Sequence, residues 1–274
     1  MKKLLSVALI VSASVAVDIM PYGVYLDYSS NALKDKGYIV GIYGSYKTLP
    51  FKFEIDAEHT NIQYKTTISL DDWKQMDLTL IANYYEGANL AYKAGIHNIW
   101  AKQGNDSEYN KVFILGALYY EYLKRNIGID IYYSDYKGFH VTQFSPKVGF
   151  NFGNYNNLEG SFYMETTYNY IHISNNATNK NNYSNFDVKL QNFKGPWTTT
   201  LNASFGKSAY KVANGGFVVY NLEEEYKYSY GASLNYSLDK TDNIKVEFTK
   251  SRYTNTNNDD VDSNVYSVSY LKTF

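Results

Sequence analysis

Tyr226-Lys227-Tyr228-Ser229-Tyr230-Gly231-Ala232-Ser233-Leu234-Asn235-Tyr236-Ser237-Leu238 is aromatic or apolar at every even position and polar or small at nearly every odd one. A period of two sends alternate side chains to opposite faces of an extended strand. The same stripe runs through Met76-Leu78-Leu80-Ala82-Tyr84, Ile127-Ile129-Ile131-Tyr133 and Trp197-Thr199-Leu201-Ala203-Phe205. From residue 21 to the C-terminus no helical period is sustained. Each run covers roughly 10–15 residues, whereas soluble strands average about 5–6 and a tilted membrane-spanning strand needs about 9–11.

The alternation predicts strands over 21–30, 37–47, 51–64, 72–85, 88–102, 110–123, 126–136, 139–152, 157–173, 183–193, 197–207, 224–238, 242–255 and 261–274, an even set of fourteen. Twelve and sixteen strands are the alternatives. The even connections are short, as in Thr48-Leu49-Pro50, Glu86-Gly87 and Lys194-Gly195-Pro196. The odd ones are longer and polar, as at 65–71, 103–109, 174–182 and 208–223; Lys137-Gly138 is the exception. Short turns at one end and long loops at the other is the pattern of an outer-membrane barrel. Lipid cannot satisfy the N–H and C=O groups of a strand edge, so a spanning sheet must close. The fold class expected is therefore all-β: a transmembrane, antiparallel, up-and-down β-barrel occupying residues 17–274, with both termini periplasmic.

Composition agrees. The chain has 274 residues and 31 tyrosines, a count that interfacial aromatic girdles would explain. Its formal net charge of −1 gives no basic surface for nucleic acid, and the lack of cysteine excludes disulfides and thiolate metal sites. Lys2-Lys3, the apolar run Leu4–Val11 and the small-x-small triplet Ser14-Val15-Ala16 read as a secretory signal peptide over residues 1–16. Two readings of Ser145-Pro146 follow from the missing proline N–H, a bulge or a strand break. The stretch Val112–Tyr122 is apolar on both faces, with Phe113, Leu115 and Tyr119 inward in this register.

The last strand ends Tyr266-Ser267-Val268-Ser269-Tyr270-Leu271-Lys272-Thr273-Phe274. A terminal aromatic preceded by Tyr266, Val268 and Tyr270 at alternate positions resembles the C-terminal assembly signal of bacterial outer-membrane proteins. That resemblance implies the barrel-assembly machinery as a partner, beside outer-membrane lipid. Length, strand number and turn alternation together resemble the monomeric fourteen-stranded porins of the OmpG type. The resemblance implies a passive pore for small hydrophilic solutes, with no cofactor, no metal and no catalysis.

Taking the polar face as inward, the lumen carries Asp27, Glu54, Asp56, Glu58, Asp77, Glu121, Asp130, Glu159, Glu165, Asp187, Glu225 and Glu247 against Lys52, Lys93, Lys147, Lys189, Lys227 and Lys245. Acids exceed bases roughly two to one, and charged linings set the ion sign a pore prefers, so mild cation selectivity is expected. The bland alternative is a set of cross-strand ion pairs. Acids and a histidine near the loop rim (Asp71, Asp72, Asp259, Asp260, His172) are the residue types of a rim hydrolase, but their spacing matches no catalytic pattern. A closed-lumen barrel acting as a surface adhesin or rim hydrolase is the alternative function, and a secreted β-sandwich the alternative fold.

The longest connection, 208–223, contains Asn214-Gly215-Gly216, a tight-turn signal because these residues accept positive φ. The flanks are too short to span, so a hairpin extending its two neighbouring strands beyond the bilayer is expected. Its Tyr210, Val212, Phe217 and Val219 would need cover: neighbouring loops, a partner, or the pore mouth. The porin resemblance implies that the hairpin narrows the pore, with Glu223, Glu224 and Glu225 at its base.

Overall fold

The computed structural model describes residues 16–121, 124–154, 159–175, 180–255 and 259–274. Apart from Ala16, the expected signal segment lies outside them. The strands are β1 (Ala16–Tyr28), β2 (Lys34–Thr48), β3 (Phe51–Tyr64), β4 (Trp73–Glu86), β5 (Leu90–Gln103), β6 (Asp106–Glu121), β7 (Arg125–Tyr136), β8 (Phe139–Asn154), β9 (Gly160–Ile173), β10 (Asn182–Lys194), β11 (Trp197–Ser208), β12 (Val212–Ala213), β13 (Val218–Val219), β14 (Glu225–Ser237), β15 (Asp242–Thr254) and β16 (Asp260–Thr273). Fourteen of them form one closed antiparallel barrel in sequence order, with β11 pairing β14 and β16 returning to β1. β12 and β13 pair only with each other.

The outer face is apolar because the alternation demands it. Aliphatic side chains such as Val40, Ile55, Leu115, Leu201, Val246 and Val268 stand exposed around the middle. Aromatics flank them at both ends, for example Phe51, Tyr84, Phe150 and Trp197 towards the short turns and Tyr38, Trp100, Tyr133 and Phe205 towards the loops. This is the girdled band of a lipid-facing barrel. Tyr266, Val268, Tyr270 and Phe274 all lie on this face. Lys272, which breaks the apolar stripe, bonds Asp242 at 2.6 Å where the β15–β16 ladder reaches the short-turn end of the barrel.

Several expectations are corrected. β1 begins at Ala16 rather than 21, because Val17 and Phe274 exchange backbone hydrogen bonds at the seam. The 103–109 loop is a tight turn: β5 and β6 extend to Gln103 and Asp106, and Gly104 supplies a φ of +58°. β8 passes through Pro146 with neither bulge nor break. Its register with β9 is the same on both sides, from Phe144↔Tyr170 to Lys147↔Thr167, and Pro146 still faces Ile129 of β7. A proline inserts no residue, so it removes a local bond without shifting the ladder. In β6 the faces are reversed: Phe113, Leu115 and Tyr119 are exposed outside, while Val112 and Ile114 point inward and are buried. Glu121 goes outward with them and binds Lys124 and Arg125.

Candidate functional site

The segment between β11 and β14 does not extend the barrel; it turns into it. Near the loop end β11 carries Gly206 at φ +98° and a register shift between Phe205 and Ser208, which bends the strand. Tyr210 then takes φ +50°, a conformation rare for a bulky residue. The chain descends through Lys211, Val212 and Ala213, turns at Asn214-Gly215-Gly216 and returns through Phe217, Val218 and Val219, with Tyr220 N–H donating to the Lys211 carbonyl at 2.9 Å. Positive φ at Asn214, Gly215 and Gly216 makes the turn. A Cβ on Gly216 would stand 2.3 Å from Ile114 Cδ1, so only glycine fits there.

The hairpin presses on the β3–β10 wall. Tyr210 packs among Tyr136, Val141, Ile171, Ile173 and Tyr183. Val212 packs with Ile81, Val112, Ile114 and Tyr132, and Phe217 and Val219 cover the same patch. Polar contacts fix the register: Gln143 bonds both the N–H and the C=O of Val212 at 2.8 Å. Lys211 reaches Asp187 at 2.6 Å, and Lys93 donates to the Gly215 carbonyl at 2.9 Å. Phe217 meets the Tyr43 ring edge-on at 5.6 Å. Burial pushes the Lys211 ammonium below its usual range, against the pull of Asp187.

The opposite wall differs. Inward side chains of β11, β14, β15 and β16 are mostly small hydroxyls and amides, among them Asn202, Ser229, Asn235, Thr249, Ser267 and Ser269, and these remain partly accessible. Val112, Ile171 and Ile173 under the hairpin are 0% exposed. The interior is thus a filled half and a polar half.

Of the lumen candidates, Glu54, Asp56, Glu58, Asp77, Lys93, Asp130, Glu165, Lys189, Lys245 and Glu247 point inward. Asp27 does not. It shares the outer face with exposed Tyr25, and its carboxylate accepts from Asn264. Most of the inward charges pair: Lys52–Glu54 at 2.8 Å, Lys93–Asp130 at 2.9 Å, Lys147–Asp130 at 2.8 Å, Lys189–Glu165 at 3.0 Å and Lys245–Glu247 at 2.5 Å. Asp56, Glu58 and Asp77 make no ion pair with lysine or arginine among the described residues. Tyr22 donates to Glu58 at 2.7 Å and contacts both Asp56 oxygens. Asp77 is met by Gln75 at 2.8 Å and His97 at 3.3 Å.

The rim acids and histidine are held apart by separate partners: Asp260 accepts from Lys227 and Thr254, and His172 bonds Asn182. Three residues that hold the hairpin carry no mark in the sequence: Gln143, Lys34, which pairs with Glu224 at 2.5 Å, and Asn221, which accepts from Asn110 at 3.2 Å and donates to Gln75 at 3.3 Å. Gln143 and Asn221 look like ordinary polar positions, and Lys34 falls on the outer face by simple alternation.

No family model matches the chain, and no curated protein matches it. Solved structures do. The toluene transporter TbuX of Ralstonia pickettii superposes with a TM-score of 0.62 at 11% identity, covering 96% of this chain and 90% of that one. The CymD monoaromatic hydrocarbon channel gives 0.61 at 8% identity, covering 96% and 89%. A Pseudomonas aeruginosa FadL homologue gives 0.53 at 9% identity, covering 95% and 90%. At such identities the likeness concerns the fold. By its strand number, closure and girdled outer face, the chain is a β-barrel of the kind found in bacterial outer-membrane channels.

Proposed function

We propose that this barrel is a channel of the bacterial outer membrane, with both termini periplasmic, through which small hydrophilic solutes or ions diffuse passively and in which residues 209–224 form an internal gate. The observation that carries this reading is the divided interior: a folded hairpin covers one wall and leaves a hydroxyl-rich wall accessible beside it. Fourteen strands enclose more space than the eight that side chains alone can fill. The neighbours named above include hydrocarbon channels. Here two apolar patches of the inward face, Val112 with Ile114 and Val141 with Ile171 and Ile173, are already covered by the hairpin, which favours a hydrophilic solute. The separated rim residues favour transport over hydrolysis. Single-channel recording of the refolded chain in a planar bilayer is the test; a folded protein that never conducts, with or without its hairpin, rejects the reading.

The acids that no lysine or arginine offsets are the candidates for setting ion preference. A triple variant Asp56→Asn, Glu58→Gln, Asp77→Asn is expected to lower a mild cation preference, read as a reversal-potential shift towards zero in a potassium chloride gradient. Glu54→Gln alone should do less, since Glu54 is compensated by Lys52. A wild-type reversal potential favouring chloride would sink the idea.

The turn offers a gentler probe. Gly216→Ala forces a side chain into φ +112° and against Ile114. At a cost of about 1–2 kcal/mol to the seated hairpin, open probability should rise about tenfold. Unchanged open probability in the variant would argue that the hairpin does not leave its seat during gating.

A further inference from the structure

Among the described residues three ladders of the barrel carry a register shift, and all three surround the root of the hairpin at the loop end: β2–β3 between Lys34 and Lys36, β11–β14 between Phe205 and Ser208, and β14–β15 between Tyr226 and Tyr228. A bulge re-aims the side chains beyond it. Here the first turns Lys34 from the outer parity into the lumen, opposite Tyr64, and the third turns Tyr226 inward, opposite Tyr253. Both converge on Glu224, the residue where the hairpin rejoins the wall. Lys34 Nζ meets Glu224 Oε1 at 2.5 Å, each side chain being 8% exposed. The same ammonium lies 5.4 Å from the Tyr28 ring centre and 5.7 Å from that of Tyr253. Tyr226 donates to Glu224 Oε2 at 3.2 Å and packs with Tyr253 at 5.3 Å between centres. Ala32 and Val261 close the cluster.

A carboxylate backed by aromatic faces is how proteins hold alkylammonium ions. We propose that this cage is a binding site for a primary alkylammonium, filled in the closed channel by the chain's own Lys34, and that a free amine displacing Lys34 unlatches the hairpin. Lys34 belongs to the wall and Glu224 to the hairpin, so the pair is the tether between them. An apolar tether would hold as well as a buried ion pair, but only an ionic one can be undone by a soluble ion of the same charge. The amine acts by favouring the state in which Glu224 is free of Lys34, which is all a ligand needs in order to shift a gate. The latch rests on the channel reading; the binding site does not.

The binding test is calorimetric titration of ethylammonium chloride into the refolded full chain in detergent, with sodium chloride of equal ionic strength as blank. Lys34→Ala removes an intramolecular competitor present at millimolar or higher effective concentration, so it should bind ethylammonium more tightly than wild type by about tenfold or more. Adding Glu224→Gln should abolish that binding. Tetramethylammonium has no proton to donate to Glu224 and should bind more weakly. Heat-modifiable gel migration establishes that each variant is a folded barrel, and Lys34→Gln replaces Lys34→Ala should the latter not fold. A folded Lys34 variant that binds no better than wild type, binding that survives Glu224→Gln, or tetramethylammonium binding as tightly as ethylammonium overturns the site. In bilayers, ethylammonium on the loop side should raise wild-type open probability where equal sodium chloride does not; intact binding with unchanged gating overturns the latch. Because heat is read without current, failure of the channel reading and failure of the cage are distinguishable.

Discussion

Removing residues 209–219 is expected to raise single-channel conductance roughly severalfold and to eliminate long closures, with the barrel still formed. The deletion takes away the hairpin side chains from Tyr210 to Val219 that cover the β3–β10 wall. It leaves Tyr220 to Glu224 to bridge Ser208 and Glu225, and the β11–β14 ladder already brings Ser208 beside Tyr226. Closure does not depend on the hairpin, since β12 and β13 pair only with each other. There is a cost. Val112, Ile114, Val141, Ile171 and Ile173 lose their cover, and Asp187 loses Lys211. The deleted chain should therefore unfold at a lower temperature while migrating as a folded barrel at room temperature. Channel traces indistinguishable from wild type, in a protein that migrates as folded, would reject the gating role.

The same residues explain what could be read beforehand. The outer face must be apolar across the membrane band whatever lies inside, so its stripe locates all fourteen strands. The inner face obeys no such rule, because a lumen side chain is polar where water reaches it and apolar where something covers it. Val112 and Ile114 are inward because a hairpin rests on them. Strand β6 is therefore apolar on both faces, and alternation alone does not tell that Phe113 and Leu115 face outward. The turn at Asn214-Gly215-Gly216 was legible from its residue types, but its destination was not. The signal was long-range: Tyr210, Val212, Phe217 and Val219 needed cover, and surplus inward apolar residues on β6, β8 and β9 offered it. Lys34 was hidden for another reason. One bulge reverses the parity of everything beyond it, and alternation alone carries no mark of where a bulge falls.

Loss of Phe274 is expected to reduce the yield of folded barrel in cells severalfold, while the exported polypeptide still accumulates. Two contributions can be separated. At the β1–β16 seam, Phe274 N–H donates to Val17 C=O at 2.8 Å, and Val17 N–H returns a longer bond of 3.4 Å. Thr273 Oγ1 adds a bond of 2.7 Å to Asp18. Deleting the residue removes the last rung of the ladder that closes the sheet, and each such bond contributes about 1 kcal/mol net. Phe274 is 69% exposed and its ring continues the outer stripe of Tyr266, Val268 and Tyr270, so the ring does little for the folded barrel itself. Its role, on the assembly-signal reading, is to be recognised before closure. Phe274→Ala keeps the backbone rung and removes only the ring. If recognition dominates, Phe274→Ala should lose nearly as much folded barrel in cells as the deletion, yet refold like wild type from urea into detergent. If the seam dominates, only the deletion should refold poorly. Normal yields of heat-modifiable barrel for both variants would count against any role for the terminal aromatic.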